Sequence, residues 1–331
     1  MDIVTGSTGC IGNVLVRELT KIGKVVKSFI RSSSNTQCIQ DCNTEIIVGD
    51  ILDFESLLKA FRYADTVYHL ASEISIMPGP NKYLRDINIL GTRNVIRACF
   101  ECKVKKLVYT SSIHALKEPA EGIIFNESMP FDPQSPRGIY DRSKAQASIE
   151  VLKAAEEGLD TVIVCPTGVI GPYDFRISYL GKLFIDYCNK KLNMIVDGAY
   201  DFVDVRDVAA GHILAAERGK TGEYYILSGQ KVTMDELMTI LEEITGIPGP
   251  KYKLPLWFAK IIATFMPIYY KLSNIKPQFT PYSLNTVQSN SDISHDKATR
   301  ELGYKGRPVR DSIKDTIEWF RNNNIIAAFM V

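Results

Sequence analysis

Apolar positions in the first 110 residues follow two alternating rhythms. Short runs rich in β-branched residues ("MDIVTG", "KVVKSFI", "TEIIVGD", "DTVYHLA" and "KLVYTSS") are apolar through their middles, as strands covered on both faces must be. Between them lie stretches such as "CIGNVLVRELTKIG", in which Ile11, Val14, Leu15 and Leu19 recur at helical spacing. Strand and helix in alternation predict an α/β chain built on a doubly wound parallel sheet. "DTVIVCP" (160–166) and "EYYILSG" (223–229) continue the strand series. The segments around and after them are richer in Pro and Tyr and predict a smaller, interleaved C-terminal lobe for substrate. The expected division is 1–167 with 200–230 for the first domain and 168–199 with 231–331 for the second.

The most apolar run, "LPLWFAKIIATFMPIYY" (254–270), contains Lys260 and Pro267. It falls short of the ~20 residues of a spanning helix, so no transmembrane segment is expected. Trp257, Phe258, Phe265 and Met266 are read as packing of the second lobe or as the wall of an apolar pocket. A lipid-surface role is set aside because the run lacks a Lys/Arg-rich polar face.

Charge and cysteine content narrow the partners. Lys plus Arg, 39, nearly cancels Asp plus Glu, 38, which argues against nucleic acid and leaves a small molecule as the expected ligand. Seven cysteines, with a strand-like segment rather than a leader after Met1, lead to a cytoplasmic expectation. Cys99 and Cys102 form a CxxC inside a helical stretch with no second Cys/His pair, so no metal site is expected.

The first strand runs into "TGSTGCIG", which sets Gly6, Gly9 and Gly12 in a GxxGxxG array with Ser7, Thr8, Cys10 and Ile11 between them. Glycines at a strand-turn-helix junction let backbone N–H groups approach a pyrophosphate at the positive end of a helix. An NAD site normally places an acid ~20 residues further on, at the end of the second strand. No acid occurs between Glu18 and Asp41; "FIRSSSN" puts Arg31, Ser32 and Ser33 there instead. Arginine makes paired bonds to a 2′-phosphate, so NADP(H) is the expected cofactor and NAD(H) the alternative.

One spacing occurs twice. Tyr140 and Lys144 in "YDRSK" are four apart, as are Tyr187 and Lys191 in "YCNKK". The first pair follows "YTSS"; the second has no serine pair before it and is read as part of a surface helix. In chain order, "TGSTGCIG", "GDILD" (49–53), "YHLAS" (68–72), "NILGTRNV" (88–95), "YTSS" (109–112), "YDRSK" and "CPTGVIGP" (165–172) resemble the extended short-chain dehydrogenase/reductases, a Rossmann-fold family, over residues 1 to about 230. Cys10 stands where the family's usual loop has an aromatic residue, which leaves backbone phosphate contacts untouched.

The resemblance implies Tyr140 as the catalytic acid/base, Lys144 as its partner and ribose contact, and Ser112 as the hydroxyl that positions the substrate oxygen. It implies adenine contacts for Asp50 and Ile51, and a cofactor floor from Leu70, Ala71 and Ser72. Thr110 and Ser111 join the cofactor contacts, Asn88 lies near the catalytic group, and Pro166, Thr167, Gly168 and Val169 cover the nicotinamide side. Homodimerisation through the helices bearing Asn88 and Tyr140 is common among relatives.

The chemistry sets its own condition. Residues four apart share a helix face, so Lys144 can approach the Tyr140 ring. Lowering a phenol from ~10 to ~7 takes about 4 kcal/mol, more than an exposed pair supplies, so a buried site is required. Sugar-nucleotide members usually carry "FNVYGP" and "RDFxxVxD"; this chain has "PTGVIGP", with Thr167, and "YDFVDVRD", with Tyr200 at the arginine position. That difference resembles the dihydroflavonol reductase and 3β-hydroxysteroid dehydrogenase branches, which implies NADPH-dependent interconversion of an apolar carbonyl and an alcohol. Asp174, Phe175, Arg176 and Tyr179 are candidate pocket residues. A nucleotide-sugar epimerase/dehydratase and a non-catalytic dinucleotide sensor stay open as alternatives.

Overall fold

The computed structural model describes residues 1–120, 122–273, 275 and 277–327. The strands among them are β1 (Asp2–Thr5), β2 (Val26–Ile30), β3 (Thr44–Val48), β4 (Thr66–His69), β5 (Lys106–Thr110), β6 (Thr161–Pro166), β7 (Gly168–Ile170), β8 (Met194–Ile195), β9 (Ala199–Asp204), β10 (Glu223–Leu227), β11 (Gln230–Thr233) and β12 (Tyr252–Lys253). The helices are α1 (Cys10–Lys21), α2 (Phe54–Phe61), α3 (Lys82–Arg85), α4 (Gly91–Glu101), α5 (Ile139–Glu156), α6 (Tyr179–Cys188), α7 (Val205–Arg218), α8 (Met234–Thr245), α9 (Leu256–Ser273), α10 (Pro281–Gln288), α11 (Asp296–Leu302) and α12 (Val309–Asn322). A π-helical turn, Asp86–Leu90, joins α3 to α4.

All seven runs expected as sheet strands lie in one sheet, ordered β10-β6-β5-β4-β1-β2-β3. Every pairing in it is parallel. The strand order reverses between β1 and β4, and the crevice beyond the carboxyl ends of strands at such a point is where α/β folds bind ligands. One face buries Leu57, Val95, Val151 and Ile163 with their neighbours under α2, α4 and α5. The other buries Val4, Leu15, Val162 and Val208 under α1 and α7. The edge strand β3 departs from the expectation of two covered faces: it ends the sheet, and its Ile46 and Val48 are exposed.

A third apolar cluster, including Phe184, Phe202, Leu237 and Phe320, is separate from the two that cover the sheet. A three-stranded sheet is ordered β11-β9-β7, so β9, mostly from the stretch expected in the first domain, pairs with β7, from the stretch expected in the second. The run 254–270 forms most of α9, yet it does not pack as expected: its buried residues are Ala259, Ala263, Pro267 and Tyr270, while Trp257, Phe258 and Phe265 face outward. No described helix is long and apolar enough to cross a membrane.

Candidate active site

At the reversal point the backbone of two strands nearly touches. Gly6 follows β1 with φ +70°, a conformation L side chains rarely adopt, and a Cβ there would lie 2.6 Å from the Ala71 nitrogen. A Cβ at Gly12 would lie 2.1 Å from the Gly6 carbonyl oxygen, so α1 sits as close to the loop as backbone permits. Helix α1 begins at Gly9 without a side-chain cap and without an acid in its first turn. Its first N–H groups and the positive end of its dipole therefore remain for a ligand anion. Ser7 Oγ is buried without a hydrogen-bond partner. An orphaned hydroxyl beside an uncapped helix start fits the pyrophosphate of a dinucleotide.

A hydrogen-bonded chain fixes the floor of this crevice. Ala71 N–H donates to Thr5 Oγ1 at 3.3 Å, Thr5 Oγ1 contacts His69 Nδ1 at 2.8 Å, and His69 Nε2 contacts Thr92 Oγ1 at 3.1 Å. Because Thr92 donates its own proton to the Asn88 carbonyl, the ring proton belongs on Nε2 and Nδ1 accepts. Burial holds this imidazole neutral, pushing it down to about 3. Asn88 itself accepts from Glu73 N and donates to Glu73 O and Ser143 Oγ. It ties the segment after β4 to the N-terminal turns of α5.

The cavity is lined by Gly6, Thr8, Gly9, Arg31, Ser34, Asp50, Ile51, Leu70, Ala71, Ser72 and Arg176, among others. Arg31 donates to Tyr83 Oη at 2.5 Å, which holds the guanidinium beside the opening. Ser32 and Ser33 are exposed and do not line the cavity; Ser34 does, because its N–H bonds back to the Arg31 carbonyl and closes a turn. Ile51 is fixed by Asn94, which donates to its carbonyl, and by Gly91, where a Cβ would meet its side chain at 2.5 Å. Arg176 was expected in the substrate pocket. It instead donates to Thr8 Oγ1 at 2.8 Å and presents a cation to the phosphate loop. Of its neighbours, Asp174 binds Ser178, Phe175 stacks edge-on against Trp319, and Tyr179 lies near the Glu73 carboxylate.

At the carboxyl end of β5 the structure brings Ser112, Tyr140 and Lys144 together, all buried. Ser112 Oγ accepts from His114 N, and the Ser112 hydroxyl lies close enough to the Tyr140 hydroxyl to act on its titration. Lys144 Nζ donates to the Thr110 carbonyl at 2.5 Å and sits 4.4 Å from the centre of the Tyr109 ring. Burial pushes the Tyr140 phenol above its ordinary value, against a smaller opposing contribution from Ser112. Burial pushes the Lys144 ammonium down to about 7. The expected lowering of the phenol is therefore absent in the protein alone: water is excluded, and the lysine is turned to a carbonyl.

Thr110, Ser111 and Thr167 aim their hydroxyls elsewhere, to His212, Ser148 and Asp201 respectively. Gly168 is pressed on the Tyr200 ring, where a Cβ would come within 2.3 Å. Several residues of the site escaped the sequence reading. His114 Nε2 meets Tyr200 Oη at 2.7 Å with the two rings stacked, and Tyr282 lies edge-on to His114. Tyr282 Oη donates to Asp141 at 2.6 Å, and Arg137 pairs with Asp141 and Glu118 while donating to the carbonyls of His114 and Leu116. Burial pushes the His114 imidazole down to about 3, so the ring is uncharged at neutral pH. These contacts reach from residue 114 to residue 282, beyond the range of any periodicity.

The second Tyr–Lys pair corrects an expectation. Tyr187 is buried, not on a surface, and its hydroxyl donates to the Ile247 carbonyl at 2.5 Å. Lys191 falls beyond the end of α6 and is exposed. Tyr187→Phe should cost about 1–2 kcal/mol in urea unfolding, because it leaves a buried carbonyl unpaired, and should leave turnover unchanged. A loss of turnover at unchanged stability would assign Tyr187 a role this packing does not give it.

A family model for the NAD dependent epimerase/dehydratase family matches residues 3–228. Sterol demethylase protein B of Methylococcus capsulatus is 33% identical over 326 residues, covering 98% of this chain and 99% of that one. A ketoreductase of Stigmatella aurantiaca acting on 4-hydroxy-2-methyl-3-oxo-4-farnesyl-3,4-dihydroquinoline-1-oxide is 30% identical and covers 95% of this chain and 94% of that protein. The crystal structure of gox2253 superposes with a TM-score of 0.87 at 32% identity, covering 99% of both chains.

Proposed function

The chain belongs to the NAD-dependent epimerase/dehydratase family, as an oxidoreductase of the extended short-chain dehydrogenase/reductase kind, and on that premise we propose that it reduces an apolar ketone or aldehyde to an alcohol with NADPH. The observation that carries the proposal is the burial together of the Ser112 hydroxyl, the Tyr140 phenol and Lys144, the last two one turn apart on the same helix, beside the dinucleotide crevice.

The nicotinamide, when bound, exchanges a hydride with the carbonyl carbon. Tyr140, kept protonated by burial, gives its proton to the substrate oxygen, and Ser112 hydrogen-bonds the same oxygen as charge develops. The phenolate left behind needs a cation, and Lys144 is the charge within reach on its own helix. Gly6, Gly9, Thr8 and Arg176 would hold the pyrophosphate, and Arg31 with Ser34 the 2′-phosphate.

Relatives support an apolar substrate: one is named for a sterol and another for a farnesyl-bearing ketone. The polar groups around Tyr140 agree. Arg137 is committed to Asp141 and Glu118, and Tyr200 to neutral His114, so neither offers a cation to a sugar-nucleotide diphosphate.

The test is NADPH oxidation against a panel of apolar ketones, beside NADH and UDP- or dTDP-sugar titrations. Preferential binding of NADH together with a sugar nucleotide would overturn the proposal. Arg31→Ala should weaken NADPH roughly 10–100-fold, the value of charge-assisted phosphate bonds, and change NADH by less than about twofold. Equal losses for both cofactors would remove Arg31 from the 2′-phosphate.

A further inference from the structure

The large side chains of α9 point away from the protein. Trp257, Ile261, Phe265, Ile268 and Leu272, at helical spacing, are 67%, 48%, 64%, 59% and 84% exposed. Phe258 and Tyr269 flank them, also exposed. The inner face begins with small residues: Ala259 and Ala263 are buried against Leu284 of α10, with Pro267 and Tyr270 buried further along the helix. The helix is thus built to seat closely while presenting an apolar ridge about 22 Å long. Soluble surfaces carry scattered apolar residues, whereas a contiguous ridge of this size marks a site of contact.

The charge around the ridge is one-sided. From Ile247 to Ser291 the sequence holds five lysines, Lys251, Lys253, Lys260, Lys271 and Lys276, and no Asp or Glu, in a chain that is otherwise nearly neutral. Lys253 is paired with Asp197 and Asp235. Lys251, Lys260 and Lys271 are exposed and form no ion pair among the described residues. The basic charge that the run itself lacks as a compact face is supplied by the whole segment.

We propose that α9 lies in the surface of an anionic phospholipid bilayer, with its apolar ridge among the acyl chains and its lysines among the headgroups. Aromatic side chains beside lysines are the pattern of an interfacial helix, and α9 is not long and apolar enough to span. A second copy is disfavoured as the occupant, because an isologous pairing of two such ridges brings like-charged lysines together. The placement also has a use. Helix α10, on which α9 rests, carries Tyr282, which contacts His114 and Asp141 beside Tyr140, so the bilayer face and the site share one intervening helix.

The experiment is co-sedimentation of the full chain with phosphatidylcholine vesicles, with and without phosphatidylglycerol, at low and high salt. The wild type should bind the anionic vesicles with salt-sensitive affinity, and its tryptophan emission should shift to the blue. Trp257→Phe should remove that shift, since the only other tryptophan, Trp319, packs against Phe175. Phe265→Asp with Leu272→Asp should lower vesicle binding roughly tenfold or more while NADPH binding stays unchanged, which verifies the fold. Lys260→Ala with Lys271→Ala should erase the preference for phosphatidylglycerol. Wild-type binding no stronger than that of the double aspartate variant overturns the proposal. So does a wild-type dimer that the aspartates split while vesicle binding is absent, an outcome that assigns the ridge to a second copy.

Discussion

Replacing Tyr140 with phenylalanine is expected to lower carbonyl reduction about 10³-fold, the usual worth of a positioned proton donor, while NADPH binding changes by less than about twofold. The change removes one oxygen from a buried ring and leaves its packing against Leu84 and Ile139 intact. It also removes the hydroxyl beside Ser112, whose own Oγ still accepts from His114 N, so stability should fall by no more than about 1 kcal/mol. The loss should appear in kcat, because the proton is transferred only in the transition state and the ground state binds without it. Two outcomes would count against the mechanism. Undiminished kcat would show that the proton comes from elsewhere, with Tyr282, packed against the cluster that holds Tyr140, as the next group to examine. NADPH binding without turnover of any ketone by the wild type would favour the sensor reading.

Much of this architecture was legible because it depends on local repetition. Runs of β-branched residues separated by helical stretches predicted seven strands, and all seven lie in one parallel sheet. The glycine array could be placed for the same reason: Gly6 and Gly12 answer to close backbone contacts that any side chain would break. Periodicity fails where it must say which way a face looks. Helix α9 is apolar all round, so its pattern does not reveal that the alanines face in and Trp257 and Phe265 face out. Tyr187 failed similarly, since a tyrosine among polar neighbours reads as surface until the Ile247 carbonyl, 60 residues on, is found at its hydroxyl. Ser34 replaced Ser32 and Ser33 because a turn at Arg31 folds the chain back, a geometric consequence that spacing alone does not carry.

Substituting Lys144 with methionine should have opposite effects on activity and on stability. Lys144 stands one turn along α5 from Tyr140, over the Tyr109 ring and near Cys165 and His69; none of these described neighbours is a carboxylate. With nothing fully ionised to pair with, its ammonium is pushed down to about 7 by burial. In the unfolded chain the same group titrates near 10.5, so between about 7 and 10.5 the unfolded state holds a proton that the folded state has released. Stability contributed by this residue therefore rises with pH across that window, and below about 7 the folded protein bears the full penalty, on the order of 5 kcal/mol. Methionine removes the penalty, though it forfeits the Thr110 hydrogen bond and the contact with the Tyr109 ring, which return roughly half of it. The cofactor-free variant should consequently be more stable than the wild type at pH 6, by about 2 kcal/mol, with the gap shrinking or reversing by pH 9. Turnover should fall at least ~10²-fold, since the Tyr140 phenolate loses its cation. Parallel thermal unfolding curves at the two pH values decide the matter: a variant less stable than the wild type at pH 6 would mean that the ammonium is paid for by contacts already present in the folded protein. The expected result instead makes Lys144 a residue held at a cost to stability, tolerated because the charge is needed only when the dinucleotide and the tyrosine are both in place.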